Sequence, residues 1–439
     1  MNGIDRAARG KVLIGGAIGN FVEWYDFALY GYFATTIAHL FFPKEDPTGA
    51  LLSTFAILAV SFAARPIGGV AFGYLGDRWG RRTALLWSVL LMSAGTVGIG
   101  LLPGDAQIGA FAPALLLVCR LVQGFAAGGE WASATIFVIE HAPVGRRGRY
   151  ASVSPLSNYV GGAFGALVSM AITATTTPEQ LASWGWRLPF ILALPLALFG
   201  LYLRLRVEDS PVFTALQSDG NVESFPLVQA FRVAKKPMFV LMGWVMASSV
   251  AYYLMVTFLV SYLGTTRAFS YTASLVVQLV FTFGAAACCL LAGLVVDRLG
   301  LKRVAVTAAL CLGFWAVPAF ILLQRSPLVG ACLTVAVFAV LSGGINVTTA
   351  LLLELFPASV RSSASGLTFN LAYAVFGGTA PYLATWFVGA GHLIAPGYYL
   401  AGLCVIAALA VTIGIGGRAA VDHGNEITQS PVSGPMEAV

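Results

Sequence analysis

Twelve apolar stretches alternate with short polar hinges along this 439-residue chain, and that pattern fixes its solvent before any motif is read. Uncharged runs cover Thr83–Gly104, Met238–Thr266, Ala268–Val296, Ser326–Leu353, Ser362–Gly391 and Leu393–Gly417. About 20 apolar residues in a helix cross the roughly 30 Å of hydrocarbon in a bilayer. Lipid offers the backbone no hydrogen bonds, so only helices and closed barrels span it, and barrel strands would be half this length. The expectation is an all-α polytopic membrane protein with twelve transmembrane helices. Its spans are placed near 13–40, 51–75, 83–102, 111–138, 151–174, 187–205, 237–262, 270–296, 303–323, 327–353, 363–389 and 396–416.

An even number of spans returns both termini to one side. That side carries nineteen of the twenty-five Lys and Arg residues, and the opposite side only Lys44, Arg187, Arg267 and Arg325. The positive-inside rule then predicts cytoplasmic termini. The net charge of +6 serves orientation and contact with anionic lipid headgroups rather than nucleic acid. Gly3–Lys11 leads directly into a full-length first span, so no cleaved signal is expected. The six cysteines fall inside the spans without metal-ligand spacing, and no cofactor is expected.

Two motifs recur after half the length of the chain. Gly73-x-x-x-Asp77-Arg78-x-Gly80, followed by Arg81 and Arg82, returns 220 residues later as Gly293-x-x-x-Asp297-Arg298-x-Gly300, followed by Lys302 and Arg303. Glu140-x-x-Pro143-x-x-x-Arg147 returns 214 residues later as Glu354-x-x-Pro357-x-x-x-Arg361. Recurrence in the same order predicts two pseudo-symmetric six-helix bundles, 13–205 and 237–416. They are flanked by an N-terminus of residues 1–12, a linker of 206–236 and a disordered polar tail of 417–439. Gly73 and Gly293 permit close helix approach, and Gly80 and Gly300 suit tight turns. Asp77 and Asp297 can cap a helix terminus and accept from an arginine. Glu140 with Arg147, and Glu354 with Arg361, supply further acid–base contacts. These groups read as cytoplasmic latches that hold in one state and part in another, or as constitutive packing.

Ionisable groups inside a span are site hypotheses by default. Glu23 and Asp26 lie roughly 15–20 Å from the start of the first span, near the midplane. Two acids one turn apart in a low dielectric repel, and such a pair readily takes up a proton. Each also admits a structural reading, as an acid bound to a base. Arg120 is suited to clamp a carboxylate or to neutralise those acids. Glu130 is the third proton-coupling candidate, or else the salt-bridge partner of Arg65. Arg65 is placed too near the cytoplasmic end to share a compact substrate with Arg120. The second half has no interior charge. Its candidates for substrate contact are Trp244, Tyr252, Tyr253, Gln278, Asn346, Asn370 and Tyr373, joined by Tyr30 and Asn158 from the first half. Aromatic faces of this kind suit cation–π binding of a substituted ammonium, or simply pack.

Gly19-Asn-Phe-Val-Glu23-Trp-Tyr-Asp26-Phe, Arg65-Pro-Ile-Gly-Gly, the Gly73–Arg82 motif, Arg120-Leu-Val-Gln-Gly with Gly128-Gly-Glu130, and Trp184-Gly-Trp-Arg187-Leu-Pro-Phe together resemble the major facilitator superfamily, and within it the metabolite–proton symporters. The resemblance spans Gly15 to Gly417. It implies a bacterial inner-membrane protein, functional as a monomer, that imports a small organic solute with a proton. The segment from Ala251 to Leu263, Val317–Leu322 and Ala395–Leu400 look most like the proline and glycine-betaine branch. Glu354 before Phe356-Pro357 looks more like the dicarboxylate and citrate branch. The chain lacks the long C-terminal coiled-coil extension of well-known betaine carriers, which weakens the case for osmotic sensing. Export or facilitated diffusion is the alternative mode of transport. No nucleophile, metal or cofactor constellation supports an enzyme.

Overall fold

The computed structural model describes residues 6–43, 46–79, 81–143, 145–204, 233–357 and 360–415, and these form helices joined by short turns. Among the described residues, seven helices are long and apolar enough to cross a membrane: Pro47–Phe72, Arg147–Thr175, Lys235–Arg267, Tyr271–Leu299, Leu301–Arg325, Leu328–Leu355 and Ala395–Gly414. The pair Pro178–Gly185 and Arg187–Tyr202, bent by 46°, makes an eighth if it is counted as one span. The other expected spans are helical but shorter or interrupted. The first is broken at Phe33, between Arg6–Tyr32 and Ala34–Phe41. The fourth passes through a 3-10 turn at Ala127–Gly129, and the eleventh through a π-helical turn at Tyr373–Gly377. Most of the expected linker, up to residue 232, and the tail 417–439 lie outside the described residues.

Local signals set several helix ends. Asp46 accepts from the Gly49 N–H at 2.9 Å, with Pro47 in the first turn. Ser270 caps Tyr271–Leu299 through the Ala273 N–H at 3.1 Å. Gly300, at φ 85°, turns that helix into Leu301–Arg325.

The helices bury one face against each other and leave large apolar side chains outside, among them Phe239, Phe314, Val329 and Ile413. In water such a surface would aggregate; in a bilayer it is the lipid face. Arg6–Tyr32 packs on Val153–Thr175, and Tyr271–Leu299 packs on Leu328–Leu351. Val153–Thr175 also packs on Tyr271–Leu299, joining the early helices to the late ones. Close approach of the helices Pro47–Ala63 and Arg65–Trp79 to Phe111–Ala126 depends on glycine. A Cβ on Gly124 would collide with the Ser61 carbonyl, and one on Gly68 with the Phe125 carbonyl.

The paired motifs meet in a crossed arrangement. Arg147 Nη1 lies 3.1 Å from Glu354 Oε1, and Arg361 Nη1 lies 3.0 Å from Glu140 Oε1. This corrects the expectation that each motif pairs its own acid and base. The two motifs face each other, so the arginine of one reaches the glutamate of the other. Asp297 Oδ1 accepts from the Gly148 N–H at 2.7 Å, and its Oδ2 lies 3.4 Å from Arg149 Nε as an ion pair. Gly148 and Gly293 lie in backbone contact, where a Cβ on Gly293 would stand 2.6 Å from the Gly148 carbonyl. Lys302 belongs elsewhere. Its Nζ donates to the Thr412 carbonyl at 3.1 Å and to the Ile415 carbonyl, closing the end of the last helix. Arg298 and Arg303 are exposed. The side chains of Asp77, Arg78, Arg81 and Arg82 lie outside the described residues.

Both halves of the chain also touch at the opposite end. A Cβ on Gly31 would lie 2.6 Å from the Thr257 Cα, and one on Gly389 would lie 2.8 Å from the Thr48 methyl. Contacts between the early and late helices therefore occur at both ends.

Two outcomes follow for stability. Gly124→Ala should destabilise by about 1–3 kcal/mol through overpacking, whereas Gly402→Ala, whose Cβ meets nothing within 4 Å, should not. Thermal unfolding of the purified protein in detergent distinguishes them. The crossed pairs are partly exposed, so each contributes at most about 1 kcal/mol after screening. Glu140→Arg should lower the melting temperature, and adding Arg361→Glu should recover it. Recovery by Arg147→Glu instead would contradict the crossed geometry.

Candidate functional site

Four charged side chains are buried together in the first half: Glu23, Asp26, Arg65 and Arg120, each no more than 2% exposed. An isolated ion in such a place is prohibitively unfavourable, so the acids and bases must be read as one set. Arg65 Nη2 donates to Glu23 Oε1. The alternative partner, Glu130, has its side chain outside the described residues. The Arg65 guanidinium carbon lies 4.9 Å from the Phe27 ring centre, and that of Arg120 lies 5.3 Å from the same centre. The two arginines therefore share one aromatic ring, and Arg65 is not remote from Arg120 as counting along the span suggested. Arg65 opens the helix segment that follows the turn at Ala64.

Arg120 and Asp26 are joined by a chain of hydrogen bonds. Arg120 Nη1 donates to Gln123 Oε1 at 2.8 Å, and Gln123 Nε2 donates to Thr96 Oγ1 at 2.5 Å. Thr96 Oγ1 in turn lies 2.8 Å from Asp26 Oδ2 and 3.0 Å from the Met92 carbonyl. Arg120 also lies 4.1 Å over the Tyr30 ring, whose hydroxyl donates to the Thr54 carbonyl at 2.9 Å. The Arg120 Nε and Nη2 groups make no hydrogen bond among the described residues. They are free to receive a planar anion such as a carboxylate.

An aromatic cluster adjoins this set. Trp24 lies 4.5 Å from Tyr252, 6.2 Å from Tyr253 and 6.1 Å from Tyr373, measured between ring centres. Tyr253 reaches the Arg65 set through Phe62, which is 5.2 Å from both Tyr253 and Phe27. Tyr159 closes another side, 5.4 Å from Tyr252. The Tyr252 and Tyr253 hydroxyls and the Trp24 indole N–H are buried without a hydrogen bond among the described residues. Buried polar tips without partners on aromatic walls make this cluster a candidate for ligand contact. The backbone is irregular at the same level. The helix Lys235–Tyr253 gives way to a π-helical turn at Leu254–Phe258, and a second π turn begins at Tyr373. Such bulges gather at functional sites.

Three other candidates, Trp244, Asn346 and Asn370, are already engaged. Trp244 donates to Thr349 Oγ1 at 2.9 Å inside the late helices. Asn346 donates to the Tyr159 hydroxyl at 2.8 Å, and Asn370 to the Gly128 carbonyl at 2.6 Å. The last two tie one half of the chain to the other. Asn158 and Gln278 are buried on two helices that pack together. Trp24, Thr96 and Tyr159 were not singled out from the sequence. Trp24 had a signal, standing between the two midplane acids, whereas Thr96 is one of many hydroxyls in an apolar span.

A family described as "Sugar (and other) transporter" matches residues 12–229. A glycine betaine/proline/ectoine/pipecolic acid transporter of Dickeya dadantii is 36% identical over 92% of this chain and 83% of its own length. The proline/betaine transporter of Escherichia coli K12 is 34% identical over the same shares. Among solved structures, the E. coli xylose transporter XylE in a partially occluded inward-open conformation superposes with a TM-score of 0.74 at 19% identity, over 93% of this chain and 98% of that one. That likeness establishes the fold. The chain therefore belongs to the major facilitator superfamily, among the relatives of the proline/betaine transporters, and is a multi-pass membrane transporter of a small organic solute rather than an enzyme.

Proposed function

We propose that the chain imports a small zwitterion, such as proline or glycine betaine, together with a proton by alternating access. In this reading twelve spans form two six-helix halves, 13–205 and 237–416, joined by 206–236. The protein works as a monomer in a bacterial inner membrane, with both termini cytoplasmic. One observation carries the reading: a buried arginine with open N–H groups stands beside a buried acid and an aromatic cluster with open polar tips. Arg120 takes the carboxylate, and the rings of Trp24, Tyr252, Tyr253 and Tyr373 take the cationic nitrogen through their faces. The names of the curated relatives support the same substrate class.

Asp26 is the proton carrier. Glu23 is held by Arg65, whereas Asp26 is linked to Arg120 only through neutral side chains. A carboxylate balanced at such a remove changes its charge more easily than one in direct contact with a guanidinium. Direction of net transport follows from the proton gradient. The crossed Glu–Arg pairs serve as the cytoplasmic gate, closed in this arrangement.

A mono-, di- or tricarboxylate is the second reading, and the position of Arg65 favours it. Two guanidiniums at one phenylalanine could receive two carboxylates. The Glu23 ion pair weighs against this, because Arg65 would have to abandon a buried partner.

Asp26→Asn should abolish uphill uptake driven by a pH gradient in proteoliposomes and spare counterflow exchange, which moves no net proton. Full proton-driven accumulation by this variant would remove Asp26 from the role. Competition by proline, glycine betaine, α-ketoglutarate, citrate, shikimate and benzoate decides the substrate class. The zwitterions should compete best; strong competition by citrate or α-ketoglutarate, with none by either zwitterion, would install the second reading.

A further inference from the structure

We propose that Thr96 is a positioning residue whose hydroxyl lets Arg120 sense whether Asp26 holds a proton. The inference rests on the reading that Asp26 carries the proton and Arg120 holds the substrate carboxylate.

The argument is a count of hydrogens and lone pairs. Thr96 has one hydroxyl hydrogen and two acceptors within reach, Asp26 Oδ2 at 2.8 Å and the Met92 carbonyl at 3.0 Å. While Asp26 is ionised, the bond to the carboxylate is charge-assisted and takes the hydrogen. Gln123 then donates into a Thr96 lone pair, and Arg120 donates into the Gln123 carbonyl. Every donor in the chain points toward the anion, and each bond polarises the next. Part of the Arg120 charge is thereby balanced from Asp26 without contact.

A protonated Asp26 carries an O–H that needs an acceptor, and Thr96 Oγ1 is already at hydrogen-bond distance. Thr96 accepts that bond only by turning its own hydrogen to the Met92 carbonyl. The rotation moves one hydrogen and no heavy atom. The chain then ends on a neutral acid, and Arg120 presents its charge to an incoming carboxylate. Proton loading thus favours substrate loading, and by reciprocity bound substrate favours the proton.

Other groups stand around Asp26. Glu23 is one turn away on the same helix, held by Arg65. From helices packed against that one come Tyr159 and Tyr202, and Glu130 begins a further one with its side chain outside the described residues; Arg120 lies over Phe27 and Tyr252 against Trp24 of the same first helix. Arg187, Arg204, Glu140 and Arg267 stand at the ends of their helices. Among the described residues, the Thr96 path alone runs to Arg120 through hydrogen bonds of uniform direction.

The test compares Thr96→Val, which keeps the shape and removes the hydroxyl, with Thr96→Ser, which keeps the hydroxyl. Dissociation constants of proline, glycine betaine and α-ketoglutarate are measured on purified full-length protein from mildly acid to mildly alkaline pH. For the probe that binds, the wild-type constant should change on the order of tenfold across the range, and the Thr96→Ser constant likewise. The Thr96→Val constant should change by less than about twofold. A full pH dependence in Thr96→Val, or its equal loss in Thr96→Ser, would overturn the proposal. Asp26→Asn measured in parallel separates the two readings: if it keeps the pH dependence, Asp26 is not the proton site, whatever Thr96 does.

Discussion

Ions buried in a low dielectric must be balanced within the protein, and that requirement organises everything around the first helix. Glu23, Asp26, Arg65 and Arg120 contribute equal numbers of acids and bases, so the set is neutral when all are ionised. Neutrality is reached in two different ways. Glu23 and Arg65 meet directly, and that pair anchors two helices. Asp26 and Arg120 are connected across Thr96 and Gln123 without touching. A direct ion pair and an indirect one lie side by side, sharing Phe27 as a common wall.

The polar contacts between the early and late helices are individually weak. The crossed Arg147–Glu354 and Arg361–Glu140 pairs are partly exposed, so water screens them in place and rehydrates them when they separate. Stacking of Trp131 on Phe369, with ring centres 3.9 Å apart, adds an apolar contact to the same interface. Glycine contacts at both ends set how closely the halves approach.

Position along each helix was legible in the chain, and rotation about each helix was not. Counting residues set Glu23 and Asp26 in the middle of the first span because a helix rises by a fixed step. Which base faces Glu23 depends on how the first and second spans are turned toward each other, and no periodicity within either span carries that angle. Arg65 was misplaced for the same reason, compounded by the break at Ala64. The latch motifs were legible as repeats, but their crossed pairing is a property of two halves meeting face to face. Thr96 was silent because a hydroxyl in an apolar span usually bonds its own backbone. Thr96 does so too, and the second acceptor that matters appears only when the first helix is in place.

The two π turns beside the tyrosines have a mechanical consequence. A π turn holds one residue more than the α turn it replaces, so Leu254–Phe258 and Tyr373–Gly377 each store a surplus residue. Exchanging a few backbone hydrogen bonds moves that surplus along the helix, as a ruck moves along a carpet. The segments on either side keep their hydrogen bonding while the residues at the ruck turn through a large fraction of a revolution. Tyr253 and Tyr373 sit at the edges of these rucks. Re-aiming them by such a slide would disturb the rest of the helix far less than tilting it as a whole.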